Sequence, residues 1–564
     1  WYGSTQTFVP SVHFAGEVMS FNLMTKRLPY IFESTLEAVF IILVLGQRYI
    51  SFLLPGADET SLKITTLTFG ATQLLLRNFR WQLLPAYIWF LFQIFERLAE
   101  YKSCCFILSV ISTILTLAIC FLFPMIPAYK RSKGSLNIGS ISQYLVEDSV
   151  YQHSQKQKEL MLEIFYPTSA DNAQHGFFFW SRLRPVSTLV GVMVTIVWFL
   201  WARVPTFWMA VLAVACFLRD LQLARSSSIL PDGTQVSDAM ARFAWMPTFL
   251  FSHLPRIRQS ILRGGVVKPP SQGKWPVLIF CHGLGGTRNV YTSMAAEYAS
   301  QGYVVICPDH NDASASLTIM PDGRKTEYRR VDTKSKDLFN IRNGQLNERA
   351  NEVKFVIDQL EAICEGAKTW DKASEVGLCG SILCLQNLAV IGHSFGAATA
   401  AQSSKIDGRV KRVVCHDLWA FPISEEVVEE GLDKPAAFLH SKNFRLWKEN
   451  FDKETRLVQS CTKAVVIQAT LRNSGHQNFS DFAAFAPEVN LALKSTGKET
   501  PQRLFAAINK FTLQFLNETV SPSTTTAPVD NLSAANKALH TTRPKKEEWN
   551  SFIDILHQVD IHMS

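Results

Sequence analysis

Apolar positions along this 564-residue chain follow two different rhythms. The first is uninterrupted. Ser103 to Tyr129 carries no charged residue and is rich in Ile, Leu, Phe and Cys, which suits a helix crossing roughly 30 Å of hydrocarbon. Upstream, Leu36 to Leu54 is apolar apart from Glu37, Gln47 and Arg48, and Leu83 to Phe95 is apolar but too short to span comfortably. Either could cross with help from neighbours or lie in the interface. Lys130, Arg131 and Lys133 follow the strong span, so the positive-inside rule turns the downstream mass toward the cytosol or an equivalent compartment.

The second rhythm is short and alternating. Apolar runs of β type at Leu160 to Tyr166 (stopped by Pro167), Pro276 to Cys281, Tyr303 to Cys307, Arg412 to Cys415, Ala436 to His440 and Ala464 to Ala469 are separated by helical patterns such as Asn347 to Ala362. That order predicts an α/β fold, a mostly parallel sheet with helices on both faces. One uncharged stretch intrudes. Val186 to Ala202, an Arg203-Val204-Pro205 break and Thr206 to Leu218 lie inside the region that makes the sheet. The two arms reach only about 25 and 20 Å as helices, and proline disfavours helix at the break, so a membrane hairpin turning at Arg203-Val204-Pro205 is expected.

The resulting organisation is a membrane region over 1–132, a catalytic-type domain over 133–520 interrupted by an apolar insertion at 176–226, and 521–564 as a Ser/Thr/Pro-rich linker followed by an amphipathic helix. That last helix is read from Trp549, Phe552, Ile553, Leu556 and Val559 on one face. The N-terminal helices and this tail are surfaces on which other membrane proteins could dock. Ala241 to Leu262 sets Phe243, Trp245, Met246, Phe249, Leu250 and Phe251 among Arg256, Arg258 and Arg263, which suits either a lipid-facing surface or a helix covering the sheet.

Composition narrows the classes further. Mean hydropathy is +0.07, above the usual range of soluble enzymes. The excess of 56 Lys and Arg over 48 Asp and Glu is mild and unclustered, which excludes a nucleic-acid binder. Eleven cysteines, odd in number and without a Cys-x-x-Cys pair, include Cys281, Cys307 and Cys415 inside strand patterns, as small buried hydrophobes would be. Asn478, Asn517 and Asn531 head glycosylation sequons, but Asn478 lies too close to a candidate catalytic histidine to carry a glycan comfortably. The chain begins at Trp1, so a targeting segment upstream stays open.

Chemistry enters at Leu388 to Ala401, where a β run breaks at Gly392-His393-Ser394-Phe395-Gly396 and resumes as small helix formers. A serine between glycines at a strand-to-helix turn is a nucleophile elbow, the arrangement that exposes Oγ for acyl transfer. The pentapeptide alone is weak evidence; its strand-before, helix-after setting strengthens it. Such a serine needs a base and an acid, in the order Ser, Asp or Glu, His for this kind of elbow. Asp417, just after Arg412 to Cys415, and His476, in a loop after the last predicted strand, supply that order. Glu449, the first carboxylate after the next strand, lies too far past His440 to compete. His393, His416, His540, His557 and His562 are read as structural. The oxyanion donors would be the N–H of Phe395 and that of Leu284 in the loop Cys281-His282-Gly283-Leu284-Gly285-Gly286. No metal-ligand spacing accompanies the elbow, so neither metal nor cofactor is expected.

These residues resemble a known family, the platelet-activating-factor acetylhydrolases of the lipoprotein-associated phospholipase A2 type, within the α/β-hydrolases. The collinear blocks are Gly134 to Gly139, Ile164 to Pro167, Phe280 to Gly285, Asp309 to Ser316, Ile341 to Asn343, Gly392 to Gly396, Asp417 to Pro422 and Gly475 to Phe482. The resemblance implies an α/β-hydrolase fold, with Ser394, Asp417 and His476 as triad and Leu284 and Phe395 as oxyanion donors. It also implies a metal-free esterase acting on short or oxidised sn-2 acyl groups of phospholipids. Ala397 stands where the family usually has a second glycine, and the membrane segments are absent from its secreted members. The expectation is therefore an integral-membrane serine esterase whose partners are phospholipid and the bilayer. The alternatives are an assembly subunit of a membrane complex that keeps the fold, and an esterase or thioesterase on another acyl substrate.

Overall fold

A computed structural model describes residues 81–95, isolated helical positions between 108 and 119, 134, 136–147, 158–169, 226–518 and 556–562. The chain divides into two units, one of residues 1–127 and 173–225, the other of 128–172 and 226–564.

In the first unit, helix α1 (Leu84–Phe95) follows a single 3-10 turn at Trp81–Leu83, and Ser112 Oγ donates to Pro85 O at 2.6 Å. Its twelve residues rise only about 18 Å, short of a bilayer core. The expected spans at Leu36 to Leu54, Ser103 to Tyr129 and Val186 to Leu218 lie outside the described residues, apart from the scattered helical positions between 108 and 119. Among the described residues no helix is long and apolar enough to cross a membrane.

The second unit is built on one large sheet. Its strands, in chain order, are β1 (Asn137–Val146), β2 (Glu159–Thr168), β3 (Ser226–Ser228), β4 (Arg258–Arg263), β5 (Trp275–Cys281) and β6 (Val304–Asp309). A separate two-stranded hairpin of β7 (Leu317–Ile319) and β8 (Lys325–Glu327) follows, and the large sheet resumes with β9 (Leu383–His393), β10 (Arg412–His416), β11 (Ala436–His440), β12 (Val466–Leu471) and β13 (Leu556–His562). The spatial order is β13-β12-β11-β10-β9-β5-β6-β2-β1-β4-β3. From β12 across to β6 every pairing is parallel, as the alternation of strands and helices predicted; β2 turns antiparallel against β6. The strands at Leu160 and at Pro276 thus share one sheet, as expected.

Both faces of the sheet are covered, which is why its central strands read as continuous apolar runs rather than as alternating ones. Val277, Ile279 and Cys281 of β5 turn to one face, with Leu346, Val353, Val356 and Leu360 of the helix Leu338–Cys364. Leu278 and Phe280 turn to the other, with Ala295, Tyr298 and Ala299 of Thr292–Ser300 and Ile508, Phe511 and Phe515 of Pro501–Glu518. Period-two alternation sorts the residues even though both sets are hydrophobic.

Three local expectations are corrected. Pro167 does not stop its strand: β2 runs to Thr168, because in register Pro167 faces Ile138 of β1 and its carbonyl accepts from Lys268 N at 2.8 Å. Ala241 to Leu262 is not one helix. Helix Thr234–Phe243 ends, Trp245 adopts φ 58°, two 3-10 turns follow at Thr248–Phe251 and Leu254–Arg256, and β4 begins at Arg258. Pro247 and Pro255, which cannot donate to a helical ladder, account for the breaks. The tail over Leu556 to His562 is a strand antiparallel to β12 instead of an amphipathic helix. An apolar spacing over so few residues fits either period, and the open edge of β12 offers hydrogen bonds that a lone helix lacks. Residues 549–555 lie outside the described residues.

Candidate active site

The site lies at the carboxyl ends of the parallel strands, where the chain steps from β5 outward to β6 on one side and through β9 to β10 on the other. Such a switch point opens a crevice at the strand ends. β9 delivers Ser394, β10 Asp417, β12 the loop bearing His476, and β5 the loop 282–286.

Ser394 sits between β9 and the helix Phe395–Ile406 with φ 58° and ψ −116°, a conformation that side chains rarely adopt. Its N–H donates to His416 O at 2.9 Å and its carbonyl accepts from Ala397 N and Trp419 N, so neighbouring strand and helix hold the strained residue in place. The flanking glycines are required sterically. A Cβ on Gly392 would lie 1.9 Å from Gly396 O, and one on Gly396 would lie 2.0 Å from Cys281 O. Ala397, where the family usually has glycine, fits without such conflict in the buried core.

Asp417 is fully buried. Its Oδ1 accepts from Ser441 N and its Oδ2 from Ser441 Oγ at 2.6 Å; His476 Nδ1 lies 3.0 Å from the same Oδ2. Glu449, by contrast, is exposed and accepts from Trp447 Nε1. The His476 side chain is about a quarter exposed, and its loop is pinned by buried Asn478, whose Oδ1 accepts from Gly475 N at 2.7 Å and Gly497 N at 3.0 Å. With that amide oxygen committed and the side chain enclosed, the sequon at Asn478 has no room for a glycan.

The loop after β5 is equally constrained. Gly283 N donates to Tyr291 Oη, Gly285 N to Ser314 O and Gly286 N to Gly283 O, whereas Leu284 N–H finds no such partner among the described residues. Gly285 has φ 71°, and a Cβ there would strike the Phe243 ring. Phe395 opens its helix, where first-turn N–H groups lack intrahelical acceptors and the macrodipole is positive. Two unspent donors thus flank the serine. Behind them lies buried Arg349, donating to His282 O at 2.7 Å and Ser314 Oγ at 2.8 Å, pairing with Asp312 at 3.2 Å, and stacking on the Phe395 ring at 4.4 Å.

The remaining histidines divide. His416 is enclosed near Thr512 Oγ1 at 2.9 Å, and burial pushes it down to about 3. His540 lies outside the described residues, and His557 and His562 lie on β13. His393 does not stay apart from the site: its ring lies 4.3 Å from that of His476. Sequence reading missed it as a neighbour of the base, along with Ser441, Tyr291, Arg349 and Phe444. No spacing rule marks such residues, since loops distant in sequence bring them together.

His393, Asp417 and His476 offer ligand-type atoms within 4.8 Å of one another, a grouping that no local spacing announces. Within this grouping His476 Nδ1 and Asp417 Oδ2 already face each other. An Nδ1 that holds a metal ion cannot also hold the proton that orients it toward Asp417, so the two uses exclude each other.

The sequence model of the family described as "Platelet-activating factor acetylhydrolase, isoform II" matches residues 232–537, more than half of the chain. The chain belongs to that family. It is similar to a platelet-activating factor acetylhydrolase of Gallus gallus, 27% identical over 44% of this chain and 63% of the relative. It is also similar to one of Bos taurus, 30% identical over 43% of this chain and 57% of the relative. The chain thus spans less than two thirds of these relatives. A ferulic acid esterase from Streptomyces cinnamoneus aligns with 73% of this chain and 97% of its own, at 19% identity and a TM-score of 0.46. The family match covers the elbow, Asp417, His476 and the loop 282–286, and leaves the apolar regions before residue 232 outside it.

Proposed function

We propose that this family member is a membrane-bound serine esterase hydrolysing the sn-2 acyl ester of phospholipids with acetyl, short or oxidised chains. The observation that carries the reading is the Asp417–His476 hydrogen bond beside a serine held at φ 58° between two obligate glycines. With Nδ1 turned to Asp417, the Nε2 of His476 is left to take the Ser394 proton as Oγ attacks the ester carbonyl. Leu284 N–H and Phe395 N–H receive the negative charge that develops on the carbonyl oxygen. Collapse expels the lysophospholipid alkoxide, which takes the proton from His476. Water, deprotonated by the same base, then releases the acid from Ser394. Every proton in this cycle moves through His476.

The membrane part of the reading rests on the uncharged stretches at Ser103 to Tyr129 and Val186 to Leu218, and on the basic residues after the first. The catalytic domain would then face the cytosol or an equivalent compartment. A second support lies near the site: Trp245 is 77% and Phe249 53% exposed, with Met246, Leu250 and Phe251 half-buried beside them. Exposed aromatics of this kind suit an interface with lipid. Arg330 lies 3.9 Å over the Trp245 ring, and a cation beside exposed aromatics suits contact with lipid phosphates.

The test is labelling of the membrane-embedded protein with a fluorophosphonate, alongside hydrolysis of a phospholipid with a short sn-2 chain. Wild type should label and turn over. Ser394→Ala and His476→Ala should do neither, a loss of several orders of magnitude. Turnover persisting in Ser394→Ala would remove the assignment, and labelling without phospholipid turnover would redirect it to another ester.

A further inference from the structure

We infer that His393 is a positioning residue for the general base, sharing the Nδ1 proton of His476 with Asp417 and tying the base to the oxyanion loop through Tyr291. The inference rests on the proposed esterase reading and adds to it.

The geometry is a continuous chain of polar contacts. His393 Nε2 lies 3.3 Å from His476 Nδ1, which lies 3.0 Å from Asp417 Oδ2. On its other side, His393 Nδ1 lies 2.9 Å from Tyr291 Oη, and that oxygen accepts from Gly283 N–H at 3.0 Å. Gly283 precedes Leu284 in the oxyanion loop. His393, Tyr291 and Asp417 are all buried.

The hydrogen bond to Asp417 sets the direction of the rest. His476 Nδ1 must carry its hydrogen to donate to Asp417. The facing His393 Nε2 is then an acceptor, since two N–H groups directed at each other across 3.3 Å would repel. His393 therefore carries its proton on Nδ1 and donates to Tyr291 Oη, whose second lone pair takes Gly283 N–H. The Tyr291 hydroxyl hydrogen is then the one donor of this chain without an acceptor among the described residues, and His393 stays neutral. Burial first, then the neighbouring His476 and His416, hold it well below the usual imidazole range.

This arrangement matters when His476 becomes an imidazolium. Its Nδ1–H then points at a carboxylate and at a second, uncharged acceptor, while the His393 ring, stacked on Phe479 with centroids 5.6 Å apart, fixes the plane. Losing the acceptor should lower the basicity of His476 and let its ring wander. Losing Tyr291 Oη should free His393 to place its proton on Nε2, with the same consequence.

Three variants of the full-length protein test this: His393→Phe, which keeps an aromatic ring but no acceptor, His393→Gln, which restores one, and Tyr291→Phe. Each is measured as a kcat and KM pair and as the pH profile of kcat/KM on a short-chain phospholipid. His393→Phe should lose roughly ten- to a hundredfold in kcat with little change in KM, the worth of a hydrogen bond to a charged group. Its acid limb should move to lower pH, a change that packing damage alone would not produce. Glutamine should bring the limb back toward wild type, and Tyr291→Phe should move it as His393→Phe does. A wild-type kcat and an unmoved limb in His393→Phe would overturn the inference. Should that variant not fold, an unmoved limb in Tyr291→Phe would overturn it equally. Hydrolysis surviving in Ser394→Ala would instead defeat the esterase assignment, a result separable from these.

Discussion

The Phe444 ring lies flat on the His476 imidazole, with centroids 4.1 Å apart and planes within 3° of parallel. Phe444 is carried on the short helix Lys442–Leu446, whose cap is Ser441: its Oγ accepts from Phe444 N at 3.2 Å and donates to Asp417 at 2.6 Å. One hydroxyl therefore fixes both the acid that orients the base and the ring that covers it. Trp447 and Phe444 meet in a T-shaped contact with centroids 5.6 Å apart.

Removing that cover should be felt in the rate. An aromatic pair is worth about 0.5–1.5 kcal/mol beyond its buried area, so Phe444→Ala should lower kcat/KM by up to roughly tenfold while Phe444→Tyr stays near wild type. Steady-state hydrolysis of a short-chain phospholipid reads this directly. An alanine variant with unchanged kcat/KM would mean that Asp417 alone suffices to orient His476.

Arg349 should matter for stability as well as for rate. Its guanidinium joins the loop at His282, the Asp312–Ser314 segment and the elbow helix at Thr399, all in the interior. Arg349→Met would leave Asp312 buried without its cation, and breaking such a pair costs about 3–5 kcal/mol. Lysine, with a single ammonium in place of a fork of donors, should rescue little. Thermal unfolding of both variants, with wild type as reference, checks the expectation; a Met variant melting with wild type would refute it.

Glycines at 392 and 396 and the apolar run before them announce the elbow because the constraint is local: a Cβ at either place meets backbone within about 2 Å. Asp417 and His476 were legible because strand ends in a parallel sheet converge, and the order of the strands in the chain limits which carboxylate and imidazole can meet. Their roles remain with the proposal, while their proximity is structural. What stayed hidden depends on contacts between loops. Ser441, Tyr291 and Phe444 carry no signature in their own neighbourhoods, and β13 looked helical because seven residues that gain an edge partner need not obey their own periodicity.

Asp481 gives a pH dependence that is independent of catalysis. It follows the His476 loop, and its carboxylate accepts from Ser293 N at the start of the helix Thr292–Ser300, within the interior. Burial, only partly offset by its bonds to Ser293 and to Thr292 N, raises it from 3.8 to about 7. A carboxyl with a raised folded-state pKa contributes stability that is full below about pH 4 and is lost as the pH climbs to about 7. The span is on the order of 4 kcal/mol. Asp481→Asn keeps an acceptor for Ser293 N without the charge, so it should be more stable than wild type at neutral pH and should lose that advantage near pH 4. Parallel denaturant titrations at pH 4, 5.5 and 7.5 supply the comparison. An Asn variant less stable at pH 7.5 would show that the carboxylate is held ionised in the fold.

The apolar insertion sets the last expectation. β2 ends at Thr168 and β3 begins at Ser226, and both belong to the same sheet, β2 next to β1 and β3 two strands beyond it. On the proposed membrane reading, the chain between them must therefore leave and return on one side. An even number of crossings, or none, is all that a single sheet allows. Two arms of about 25 and 20 Å, separated by Arg203-Val204-Pro205, fit a hairpin that is re-entrant or spans a locally thinned bilayer. Cysteines placed at Ser169 and Gln235, both exposed on the second unit, should react with an impermeant maleimide from the same face of sealed vesicles. Reaction from opposite faces would require an odd number of crossings, which is incompatible with β2 and β3 lying in one sheet.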